Sequence, residues 1–125
     1  VVNDQFGAPT SAFLLADVTA HVLRDAWMKR QGGVTPEYGK YHLTASGVTS
    51  WHGYAQYVAT LAEQAGIELK VGSAQIKGIP TTDYPTPAKR PTNSQLDTSL
   101  LQNTFGLRLP DWQDGVRHAF ALINN

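Results

Sequence analysis

The sequence predicts a mixed α/β lobe with about four helices and a few short strands. Two long helical patterns alternate with short strand-like segments in the first half, and two further helical patterns close the chain. Between the halves lies a proline-studded crossing, IPTTDYPTPAKRPTNSQLD, where Pro80, Pro85 and Pro87 hold the backbone extended and remove ladder donors. The crossing therefore runs over a surface and is not a core strand.

Val1-Val2 is apolar and β-branched and runs into a turn-like Asn3-Asp4, so it reads as the end of a strand that begins outside the chain. Asp4 to Ser11 is a loop, with Gly7 for turning and Thr10 or Ser11 as the N-cap of a helix from about Ser11 to Lys29. Leu15, Val18, Val22 and Ala26 recur along that helix, Leu14 and Leu23 widen the stripe, and Gly32-Gly33 ends it. Gly39 to Thr44 alternates and is rich in strand formers, which predicts a short strand.

Thr49 or Ser50 caps the second helix, whose face is Tyr54, Val58, Leu61 and Ala65 and whose stop is Gly66. Trp51 and His52 in its first turn read as packing anchors. Ile67–Val71 and Gln75–Ile79 are brief alternations, expected as edge strand or extended chain. After the crossing, Asp97 is the expected N-cap of a third helix that buries Leu100 and Leu101 and ends at Gly106; a turn and short strand end follow at Gly106–Arg108. Trp112, Val116, Ala119, Phe120 and Ile123 form the face of the last helix.

Ten basic and ten acidic residues cancel, so no broad field draws the chain to nucleic acid or to an anionic membrane. With 42% hydrophobic residues and 125 residues in all, it is one domain's worth of folded chain with a modest core. Cysteine is absent, which removes disulfides and thiol chemistry and agrees with a cytoplasmic setting. His21, His42, His52 and His118 have no ligand spacing, so no metal is expected. Neither signal peptide nor membrane span is legible.

What remains is local anion recognition. Lys89-Arg90-Pro91 sets two cations on a stiffened backbone, and a guanidinium held beside a proline suits bidentate pairing with phosphate or carboxylate. Asn93 and Ser94 add amide and hydroxyl groups nearby. The competing reading of Lys89-Arg90 is a solvated surface pair. The helix head behind the Gly7–Thr10 loop offers open N–H groups to an anion, against which stands ordinary capping.

PTPAKRPTNSQLDTSLLQNTFGLRLPDW resembles the C-terminal signature of the dTDP-4-dehydrorhamnose reductases, which are extended short-chain dehydrogenase/reductases. VNDQFGAPT (Val2–Thr10) and YHLTASG (Tyr41–Gly47) fit the same family in the same order, so the likeness spans essentially the whole chain. It implies a C-terminal substrate-binding lobe, residues 1–125 of this chain, with the N-terminal Rossmann half and its Tyr-x-x-x-Lys pair elsewhere. It also implies that Gln5, Phe6, Gly7 and Thr10 line a nucleotide-sugar site. Arg90 would contact the diphosphate, Lys89 would add field, and Asn93 would bond phosphate or sugar.

The parent would reduce dTDP-4-keto-L-rhamnose with NADPH or NADH, cofactors bound mainly by the other half. Its partners would be the dTDP-sugar nucleotide, that N-terminal half and, as an open alternative, a second copy in a homodimer. Magnesium, associated in some members with glutamates near a dimer contact, has no counterpart here, where Phe13 and Leu122 stand. Two other assignments stay open: a non-catalytic interaction protein like the regulatory subunit of methionine adenosyltransferase, and an epimerase of the same class.

Overall fold

The computed structural model describes residues 1–124. Its elements in chain order are β1 (Phe6–Gly7), α1 (Ala12–Gln31), β2 (Thr49–Ser50), α2 (Trp51–Gln64), α3 (Ser99–Phe105) and α4 (Trp112–Ile123). Short 3-10 turns at Ser73–Gln75 and Thr81–Asp83 punctuate the long connection between α2 and α3. No described helix is long and apolar enough to cross a membrane.

The helix starts follow from local cap chemistry. Ser11 accepts a hydrogen bond from the Leu14 amide at the head of α1, Ser50 from the Gly53 amide at α2, and Asp111 from the Gln113 amide at α4. α3 ends where Gly106 turns left-handed, at φ 62°.

Two small apolar centres hold these pieces together. Val18 of α1, Leu101 of α3 and Leu109 are buried as one cluster, with Leu14, Val22, Tyr41, Leu43, Phe105 and Leu107 packed around it. On the other side α2 meets α4: Ala59, Ala62 and Trp112 are buried. The Trp112 ring meets Tyr57 edge-on, 5.1 Å between centroids. Leu23, Trp27 and Met28 of α1 and Ile123 of α4 stay exposed.

The sheet is minimal but it sets the site. β1 and β2 pair antiparallel, Phe6 opposite Ser50 and Gly7 opposite Thr49. On its other edge β1 takes the end of the crossing: the Phe6 amide donates to Thr92 O at 2.8 Å, and the Ser94 amide donates to Phe6 O at 2.9 Å. β1 is thus flanked by the head of α2 on one side and by residues 92–94 on the other.

Several expectations are corrected. Residues 39–44 form no strand, because Tyr41 and Leu43 face the core while the nearby Ala45 amide donates to the Thr10 hydroxyl at 3.0 Å. The strand at Val1-Val2 is a single bridge from Val2 to Ile79; the segments at 67–71 and 75–79 are otherwise extended chain around a 3-10 turn. Residues 106–108 carry no strand end, and the pairing there is one bridge between Ser46 and Asp111. Thr98, not Asp97, is the N-cap of α3, with Asp97 reaching past it to accept from the Ser99 amide at 2.9 Å. Leu101 is buried, but Leu100 is 60% exposed, since α3 offers only one side to the core. The two true strands fall where the sequence reads as a loop and a cap.

Candidate functional site

The β1 ribbon brings three stretches distant in sequence to one place. Residues 5–10, then Thr49, Ser50, Trp51 and Tyr54, and finally Arg90, Pro91 and Ser94 line a cleft of about 420 Å³. Gln5, Phe6, Gly7 and Thr10 are on its wall, and so is Arg90 with Pro91 behind it. Arg90, an exposed residue, therefore lines the same cleft as the Gly7–Thr10 loop at the head of α1.

Close approach makes this possible at Gly7. A Cβ there would stand 2.6 Å from the Ser94 hydroxyl, which donates to Phe6 O at 3.0 Å. A side chain at this position would displace the Ser94 hydroxyl from Phe6 O, so the glycine leaves that hydroxyl room against the loop.

Arg90 is the one charged residue among those lining the cleft, and no carboxylate accompanies it. An unpaired guanidinium in a partly closed space favours an anionic ligand, and its fork suits phosphate oxygens. Around it the wall divides into aromatic and hydroxyl portions. Phe6 and Trp51 are each about half exposed, Trp51 meeting Tyr54 edge-on, while Thr49 and Ser50 supply hydroxyls. Such a lining accommodates a flat ring beside a charged, hydrogen-bonding group. A second cleft of about 280 Å³, shared at Ala8 and Ser94, continues past Thr44–Gly47.

Some of these groups are already committed. The Thr10 hydroxyl donates to Ala8 O at 2.9 Å and accepts from the Ala45 amide, so it braces the loop. Asp4 accepts from the Thr81 hydroxyl and from the Thr81 backbone amide, which holds its carboxyl below the usual carboxylate range. That contact anchors the start of the crossing, as the ladder at Thr92–Ser94 anchors its end.

Residues 1–124 match the family described as the RmlD substrate binding domain. The chain belongs to this family. Within the RmlD substrate-binding domains, the chain is 53% identical over 118 residues to a dTDP-4-dehydrorhamnose reductase of Shigella flexneri, an alignment covering 94% of this chain and 37% of that protein. Among solved structures it superposes on a dTDP-4-dehydrorhamnose reductase of Clostridium acetobutylicum with a TM-score of 0.76 and 30% identity, covering all of this chain and 38% of the other. The reductase of Bacillus anthracis solved with NADP gives 0.69 and 25%, covering 98% of this chain and 37% of the other. The chain thus spans little more than a third of these relatives.

In this RmlD substrate-binding domain, the structure gathers Gln5, Phe6, Gly7, Thr10 and Arg90, but Lys89 and Asn93 do not line the cleft. The Asn93 side-chain oxygen accepts from the Gln95 amide at 2.9 Å, and its backbone bridges to Phe6. Trp51, read as an anchor, instead forms cleft wall. His52 is structural, its Nε2 lying 2.8 Å from Ile76 O. Thr49 and Tyr54 line the cleft as well, and a Thr-Ser-Trp run at a helix head shortly before a second aromatic is the sequence pattern that marks them. Among the described residues no group of acidic, histidine or cysteine side chains is placed to hold a metal ion.

Proposed function

We propose that this chain is the C-terminal substrate-binding portion of a dTDP-4-dehydrorhamnose reductase, which reduces dTDP-4-keto-L-rhamnose to dTDP-L-rhamnose with NADPH or NADH. The observation that carries the reading is Arg90, the one charged residue lining a cleft that the Gly7–Thr10 loop also lines, beside aromatic and hydroxyl walls. The guanidinium would bind the diphosphate, Phe6 or Trp51 would cover the base, and the adjoining cleft would take the deoxysugar. Binding energy from the remote nucleotide would then orient the keto group for reduction.

A dinucleotide does not fit the residues present. The loop before α1 has only Gly7, followed by Ala8-Pro9-Thr10, and lacks the glycine spacing that lets a backbone approach a pyrophosphate. Cofactor would then be bound mainly by the rest of the protein, where the family resemblance puts the Tyr-x-x-x-Lys pair. The exposed apolar sides of α1 and α4 suit burial against that half or against a second copy in a homodimer. The setting would be cytoplasmic, in the synthesis of activated rhamnose for surface polysaccharide.

Turnover tests this reading. The complete encoded protein is expected to oxidise NADPH or NADH in the presence of dTDP-4-keto-L-rhamnose, and the 125-residue chain alone is expected to show none. Tight binding of a partner protein without turnover would favour the interaction-protein alternative, and a C3 or C5 epimer as product would favour the epimerase.

A further inference from the structure

Gln5 lines the cleft with a side-chain amide, which can present either a donor or an acceptor to a ligand. A chain of two hydrogen bonds through three residues bears on the choice. Asp4 is ionised and accepts only, and the Thr81 hydroxyl stands 2.6 Å from its Oδ1, so that hydroxyl spends its single proton on Asp4. Thr81 Oγ1 then has only lone pairs to offer. The Gln5 side-chain nitrogen, 3.1 Å away, must be the group that donates to it. Oε1 has no hydrogen-bond partner among the described residues, while Nε2 keeps one further N–H.

We infer that Asp4 and Thr81 are positioning residues that lock the Gln5 amide with its carbonyl oxygen offered to the cleft, so that the site selects a ligand presenting a hydrogen-bond donor there. The inference rests on the reading of the cleft as a nucleotide-sugar site. A dTDP-sugar offers such donors from two sources, the imide N–H of the base and the hydroxyls of the deoxysugar. A wrongly oriented amide would set N–H against N–H or O–H and lose the bond, which is how a fixed amide discriminates.

Thr81→Val is the informative variant, because it removes the hydroxyl while keeping the backbone amide that donates to Asp4 at 3.0 Å and anchors the crossing. Thr81→Ser restores the hydroxyl. Binding of dTDP-L-rhamnose, dTDP and N3-methyl-dTDP to the complete protein is measured by calorimetry, with thermal melts alongside. Thr81→Val is expected to weaken dTDP-L-rhamnose about fivefold to tenfold with little change in Tm, and Thr81→Ser to bind like the wild type.

A loss confined to dTDP-L-rhamnose assigns the donor to the sugar, whereas a loss for dTDP-L-rhamnose and dTDP but not N3-methyl-dTDP assigns it to the base. Wild-type affinity in Thr81→Val, equal loss on all three probes, or a loss that follows a fall in Tm and persists in Thr81→Ser overturns the inference while the nucleotide-sugar reading stands. If the wild-type protein binds no dTDP-L-rhamnose, that reading fails and the inference with it.

Discussion

Arg90→Ala in the complete protein is expected to weaken dTDP-L-rhamnose binding roughly tenfold to a hundredfold, the worth of a charge-assisted contact of about 1.5–3 kcal/mol. The loss should be large because no other cation lines the cleft to take over the phosphate oxygens. Lys89, the sequence neighbour, lies off the wall and does not compensate. Arg90→Lys is expected to fall between, keeping the charge but not the fork. Thymidine, which has no diphosphate, should bind the wild type and Arg90→Ala alike. Calorimetry with the two ligands separates an anion contact from a general disturbance of the cleft.

Leu101→Ala is expected to cost about 2–5 kcal/mol of stability, a large part of the roughly 5–15 kcal/mol of a typical domain. Leu101 is 4% exposed and joins α1 to the segment after α3 through Val18 and Leu109. The cluster has only three buried members, so Leu101 is a large share of what holds α1 and α3 together. Leu100→Ala, one position earlier and exposed, should change stability by only about 0.5 kcal/mol. Chemical denaturation of the two variants gives the comparison. Ligand affinity of the folded Leu101 variant should be close to wild type, since Leu101 is not on the cleft wall.

Cap and stop chemistry made the helices legible, because it acts within one turn: Ser11, Ser50 and Gly106 stand where their helices begin or end. The strand content was not legible for the opposite reason. Gly39–Thr44 has the alternation of a strand, yet its apolar residues are used by the α1–α3 core and the amide beyond it by Thr10, partners fixed only when distant segments meet. Phe6–Gly7 is a strand although two residues carry no period at all, because both its edges find backbone partners from residues 49–50 and 92–94.

The site shows the same division. A guanidinium beside a proline and a glycine before a helix head were readable as residue types, and the ribbon brings both to one cleft. Asn93 has the same polar character as a ligand-binding amide, but its oxygen is consumed by the local turn to Gln95. Thr81 lay hidden in a proline-threonine run, and its importance comes from Asp4 and Gln5, 77 and 76 residues away. Polarity can be read along a chain; whether a polar atom is free depends on what folds against it.

The position of the diphosphate in crystals of the complete protein grown with dTDP tests the proposed pocket most directly. Phosphate oxygens within hydrogen-bonding distance of the Arg90 guanidinium, on the side facing the Gly7–Thr10 loop, are the expected result. A diphosphate bound away from Arg90, or Arg90 turned to solvent with dTDP in place, would contradict it.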